Sequence, residues 1–173
     1  MVTMAAVTDR PSDAQVQAWL ETVPDPEIPV VSLVDLGIVR GFAWDDDTLV
    51  VTVTPTYSGC PATAVIAIDV ETTLLENGVE KVRVESQLSP AWTTDWISQE
   101  GRRKLHDYGI VPPVDGSACV GALKMTGAAA ADIACPRCAS KAVERISQFG
   151  STPCKASYRC TDCLEPFDYF KSI

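Results

Sequence analysis

Histidine is the scarcest catalytic side chain in this sequence, since 173 residues contain only His106. A Ser-His-Asp triad would hang on it alone, and sites needing two histidines are excluded, as is a di-iron core built on paired Glu-x-x-His motifs. Phosphate cradles are missing too. Neither GxGxxG nor GxxxxGK[ST] occurs, so dinucleotide and P-loop chemistry have no loop to stand on. Apolar runs such as Val65 to Ile68 fall far short of the roughly 20 residues that a membrane crossing requires. Positive charge is in deficit as well: 14 Lys and Arg against 23 Asp and Glu give a formal net charge of -9. That excludes the cationic footprint of a general nucleic-acid binder. The opening MVTMAAVTDR has no basic stretch followed by an apolar one. The expectation is a cytoplasmic chain with reduced thiols and neither a membrane nor a nucleic-acid partner.

What is present is a globular composition, 46% hydrophobic and 21% charged, with seven cysteines. Charge divides it unevenly. Residues 1–113 hold 7 basic and 17 acidic side chains, whereas residues 114–173 hold 7 and 6. In the first part, Ser12-Asp13-Ala14-Gln15 reads as a capping box, and Val16, Trp19, Leu20 and Val23 continue it as an amphipathic helix of about three turns. Pro24 and Pro26 end that helix and stiffen the acidic loop Asp25-Pro26-Glu27-Ile28-Pro29. Leu36 to Trp44 and Leu49 to Thr54 flank Asp45-Asp46-Asp47-Thr48 as a hairpin. A second helix opens at Pro61, in the first helical position, and presents Val65, Ile68, Thr72 and Leu75 before Asn77-Gly78. Lys81 to Leu88 alternates as a third strand, with Val82, Val84 and Leu88 inward. Ile97, Gly101, Leu105 and Tyr108 mark a last helix, closed by Gly109 and Pro112-Pro113. The order α-β-β-α-β-α predicts a two-layer α+β domain over residues 1–113. Residues 114–134, rich in Gly and Ala, read as a linker, and residues 135–173 as a small β domain.

The sharpest motif lies in that last part. Cys135-Pro136-Arg137-Cys138 and Cys160-Thr161-Asp162-Cys163 are two CxxC knuckles 21 residues apart, the spacing of a four-cysteine structural zinc site. Strand-like runs at 143–149, 156–158 and 166–170 supply the β framework of a zinc ribbon. So small a unit draws much of its folding free energy from the ion. The competing readings are unliganded buried cysteines, a thioredoxin-like redox pair, and iron in place of zinc.

Among the other thiols, Cys60 stands between Gly59 and the Pro61 helix start, where the helix dipole is expected to lower its pKa and ready it for metal or cluster binding. The alternative is a small capping or core residue. Cys154 reads as a reserve ligand, a cluster contact or plain core, and Cys119 as incidental. Asp25, Glu27 and Asp35 form an acidic group able to hold a metal or orient a partner, or simply to cap and turn. Trp92 reads first as packing, and His106 as a helix C-terminal dipole contact.

Asp25-Pro26-Glu27-Ile28-Pro29, Leu33-Val34-Asp35-Leu36-Gly37, Thr54 to Pro61 and Ser89-Pro90-Ala91-Trp92-Thr93 together resemble the small α/β domain of SufT-type iron–sulfur cluster assembly factors. With the tail, including Phe149-Gly150-Ser151-Thr152-Pro153-Cys154-Lys155-Ala156 and Glu165 to Lys171, the chain is similar to the PaaD family. Those are accessory subunits associated with the multicomponent phenylacetyl-CoA epoxidase of aerobic phenylacetate degradation. The resemblance implies a protein with no catalytic centre of its own, partnered by oxygenase or reductase subunits of that complex and assisting their assembly or metal-centre maturation. It further implies a structural Zn2+ on Cys135, Cys138, Cys160 and Cys163. Iron or an iron–sulfur cluster is then a transient cargo, with Cys60 matching the family's GCP turn and Asp25, Glu27 and Asp35 its acidic loop. A structural adaptor that docks components through the ribbon, with no metal transfer, is the other reading.

Overall fold

The computed structural model describes residues 10–113 and 133–171. Cys119 and nearly all of the predicted linker lie outside the described residues. Helix α1, Asp13–Leu20, opens on the predicted capping box: Gln15 N–H donates to the Ser12 hydroxyl, and Ser12 N–H donates to the Gln15 side chain. It makes about two turns rather than three. The N–H groups of Thr22 and Val23 bond three residues back, to Trp19 and Leu20, and this tightening ends the helix before Pro24.

Strands β1, Val39–Asp45, and β2, Thr48–Val53, form the antiparallel hairpin, with Asp46 at φ +52° in its turn. Helix α2, Thr63–Glu76, then carries the chain to β3, Val82–Ser86, which pairs with β2 in parallel. Residues directly opposite in a ladder share a face. Phe42, Trp44, Leu49, Val51, Val82 and Val84 therefore form one apolar surface, and β2 is buried at every second residue.

The buried face of α2 is Ile66, Val70 and Leu74, not the Val65, Ile68 and Leu75 row that the sequence pattern suggests. Both rows recur at helical spacing, with apolar residues on more than one face of the helix, so periodicity alone does not distinguish them. Pro61 sits just before the helix in a turn closed by Thr63 N–H on the Cys60 carbonyl, rather than at its first position. Leu88 is exposed because β3 ends at Ser86, and Tyr108 is exposed as the cap of α3.

Helix α3, Gln99–Asp107, is capped by the Ser98 hydroxyl, which accepts from Gly101 N–H at 2.8 Å. Gly101 is required by proximity: a Cβ there would stand 2.7 Å from the Asp35 carbonyl oxygen. Gly37, at φ +66°, has the same need, since its Cβ would meet the Trp96 carbonyl at 2.6 Å.

Beyond α3 lies a short strand, β4, Ile110–Val111. The C-terminal part contributes β5, Val143–Ser147, β6, Lys155–Cys160, and β7, Pro166–Phe170. These four strands make a second sheet in the order β4-β7-β6-β5, with β7 parallel to β4 and antiparallel to β6. Phe170 and Cys154 are buried in the core of the first part, and the rings of Trp92 and Phe170 lie 6.0 Å apart. Ile133, Cys135, Ala156, Tyr158, Cys160 and Phe167 form a smaller second core.

Candidate functional site

The two CxxC knuckles converge. Cys135 and Cys138 sit in the turn that precedes β5, Cys160 ends β6, and Cys163 lies in the turn before β7. Their four Sγ atoms lie within 4.8 Å of one another, with Cys135–Cys163 at 3.7 Å and Cys138–Cys160 at 3.6 Å. Ligands at about 2.3 Å around one tetrahedral ion stand about 3.8 Å apart, so these thiols already have the spacing of a structural metal site. The knuckle backbone helps: the N–H groups of Cys163 and Asp162 point at the Cys160 sulfur and pull its pKa down to about 7. Four thiols this close cannot all ionise without a cation between them, which is the charge logic of a metal ligand set.

The second constellation is built around Cys60. The turn from Tyr57 to Thr63 is held by Cys60 N–H on the Tyr57 carbonyl and by the Thr63 N–H and hydroxyl on the Cys60 carbonyl. Cys60 lines a small cavity with Asp25, Glu27, Thr56, Cys154 and Phe170. The expected fall in its pKa is reversed. Burial raises it, outweighing the lowering influence of the Ala62 N–H and the nearby Thr63 hydroxyl, while Glu27 and Asp25 push it further up. The helix proper starts three residues later, so its dipole is too distant to dominate.

The acidic loop is ordered as the prolines predict. Pro24 bridges Ser32, Asp25 N–H donates to the Val31 carbonyl, and Leu33 N–H to the Val23 carbonyl. Asp25 is buried, with Oδ1 accepting from the N–H groups of Glu27 and Ile28 at 2.9 and 2.8 Å. Burial nonetheless raises its pKa. Glu27 is raised by burial and then by the charge of Asp25, while Lys155 works in the opposite direction. Asp25 and Glu27 thus share the cavity of Cys60.

Asp35 does not. It lines a separate depression with Ser32, Ser98 and Lys104. Its carboxylate accepts from Ser32 N–H at 3.0 Å, the Ser98 hydroxyl at 3.2 Å and Lys104 Nζ at 2.7 Å. Burial opposes ionisation there, but the Lys104 and Ser32 hydrogen bonds outweigh it and hold the pKa down.

Cys154 is the cavity residue whose role the sequence leaves open. Its Sγ lies 3.0 Å from the Thr152 hydroxyl and 4.0 Å from Glu27 Oε2. Only the fold brings it to Cys60, 94 positions earlier, and the spacing between them carries no signal. Trp92 is buried, with its indole N–H donating to the Leu36 carbonyl at 2.9 Å, and His106 is exposed in the last turn of α3.

Comparison with known proteins accounts for both parts. Residues 13–86 match the family described as iron-sulfur cluster assembly protein, and residues 121–171 match the PaaD zinc beta ribbon domain. A protein of Escherichia coli K12, named as a putative subunit of 1,2-phenylacetyl-CoA epoxidase, is 47% identical over 163 residues, 94% of each chain. The chain belongs to the PaaD family. Its first part is also 34% identical to an Fe-S protein maturation auxiliary factor of Porphyromonas gingivalis, across 54% of this chain and 90% of that one. A crystallised domain of unknown function from Bacillus anthracis is 32% identical with a TM-score of 0.50, covering 54% of this chain and 90% of that one. The PaaD-family architecture thus joins an assembly-type α+β fold to a ribbon with a four-cysteine cluster, as the sequence predicts. Among the described residues, no helix is long and apolar enough to cross a membrane.

Proposed function

We propose that this PaaD-family chain is a cytoplasmic accessory factor of a phenylacetyl-CoA epoxidase, handling iron or an iron–sulfur cluster as cargo for a partner subunit. The observation that carries this reading is the cavity shared by Cys60, Asp25 and Glu27, in a fold similar to Fe-S protein maturation factors. A thiol beside two carboxylates supplies sulfur and oxygen donors to a ferrous centre, and partial exposure of Cys60 permits release.

Cys135, Cys138, Cys160 and Cys163 would hold Zn2+, which contributes fold stability and no redox chemistry. The ribbon would dock the oxygenase or reductase subunit that receives the cargo. No residue is assigned a catalytic role. The adaptor reading draws on the exposed apolar side chains Ile146, Phe149 and Leu164, which offer the ribbon a contact surface without any metal transfer.

Co-production of the epoxidase subunits with wild-type or Cys60→Ala protein separates the two. A carrier predicts a several-fold loss of iron in the purified complex for the variant, with zinc in the accessory protein unchanged. Full iron content with Cys60→Ala would leave the adaptor.

A further inference from the structure

We infer that the outer face of α2 is a docking surface for an amphipathic helix of a partner subunit, one whose apolar row is edged by Lys or Arg. The inference rests on the reading that this chain serves an epoxidase subunit, and it holds whether or not Cys60 carries iron.

Helix α2 is apolar on two opposite faces. Successive residues of an α-helix turn by about 100°, which sets Ile66, Val70 and Leu74 on one side and Val65, Ile68 and Leu75 on the other. The first row is buried in the core. The second is exposed, Val65 by 45%, Ile68 by 60% and Leu75 by 48%, and the exposed Thr72 lies in line with it. Single exposed apolar side chains are ordinary, but a row in register along nearly three turns is a ridge of the kind one helix offers to another.

The charge beside the ridge selects its occupant. On the same projection Asp69 and Glu76 border it on one side and Glu71 on the other, and α2 contains no Lys or Arg. None of the three carboxylates enters an ion pair among the described residues. A partner helix with basic edges answers all three, by attraction along both borders and by steering of the approach. A second copy does not. An antiparallel α2–α2 pair would set acids against acids along the seam, with no basic residue on the helix to meet them. The ridge is also small, on the order of a few hundred Å² against about 800 Å² per partner in a stable interface, which suits an encounter that forms and releases. Anionic lipid fails on charge, because helices that lie on such membranes carry Lys and Arg on their polar face.

The ridge begins at Val65, in the first turn of α2 and five residues beyond Cys60. Ser58, Gly59 and Pro61 are exposed at the same end. A helix seated on α2 is therefore held next to the turn of Cys60, on the first part of the chain and not on the ribbon.

The test uses the full chain with a photoreactive benzophenone side chain in place of Ile68, mixed with the purified oxygenase and reductase subunits of the epoxidase. A crosslink to a helix of one subunit, with an apolar row edged by Lys or Arg, is expected. Ile68→Glu should weaken binding of that subunit at least tenfold without lowering the melting temperature, since position 68 faces away from the core. Asp69→Lys combined with Glu71→Lys changes no apolar position; it should weaken binding several-fold at low salt and flatten its salt dependence. A crosslink to a second copy, to another part of the same chain or to a segment without basic edges overturns the docking surface. So does binding that both variants leave intact. No complex with any subunit would remove the partner reading itself, whereas a complex insensitive to position 68 removes the α2 surface alone.

Discussion

Asp35 is the carboxylate on which three segments converge: its own loop through Ser32, the cap of α3 through Ser98, and the body of α3 through Lys104. Its folded pKa lies below the ordinary aspartate value. The sign is that of a depressed acid, so the stabilisation is fully present above the unfolded pKa and is lost as pH falls through the folded one. Lys104→Met should cost about 1–3 kcal/mol in urea unfolding near neutral pH, because it leaves a largely buried carboxylate short of its charged partner. The variant should also lose part of the stability change that wild type shows below about pH 4. Equal stability for both proteins at neutral pH would remove Asp35 from its structural role. The sequence groups Asp35 with Asp25 and Glu27 because all three stand in one short acidic stretch, and nothing in that stretch signals that Ser98 and Lys104 claim Asp35. For Cys60 the sequence misleads on the electrostatics, since burial is a property of the folded neighbours and not of the GCP spelling.

Local chemistry is most legible at the scale of elements. The Ser12 box, the acidic hairpin turn and the paired knuckles each specify their structure within a few residues, and each forms as expected. Helix α2 is the counterexample. Its sequence is apolar on more than one face, so the choice of Ile66, Val70 and Leu74 is made by the sheet and α1, leaving Ile68 60% exposed. The core of the ribbon consists of six buried residues, two of them cysteines of the four-thiol cluster, too few to hold the sheet without an ion on the account proposed above. Removing zinc with a chelator should melt β5, β6 and β7 together, seen as lost β-sheet circular dichroism that returns when zinc is added back. The same treatment should alter tryptophan fluorescence, because Phe170 of β7 packs on Trp92. Unchanged spectra after complete metal removal would contradict the zinc-dependent ribbon.

Across the whole molecule, a few contacts cross the division read from charge and motifs. β7 extends the ribbon sheet onto β4, and Phe170 and Cys154 enter the first core. Neither contact is encoded locally. A two-residue strand such as Ile110–Val111 has no periodicity to detect, and a parallel pairing with residues 168 and 169 spans more than fifty positions. The junction places the ribbon beside the cavity of Cys60, Asp25 and Glu27. The central claim is that this cavity carries iron while the ribbon carries zinc. Element-specific metal analysis of the full chain, purified anaerobically in its wild-type and Cys60→Ala forms, tests this most directly. The account predicts one equivalent of zinc in both and labile iron in the wild type alone; zinc without iron in the wild type, or equal iron in the two, would contradict it.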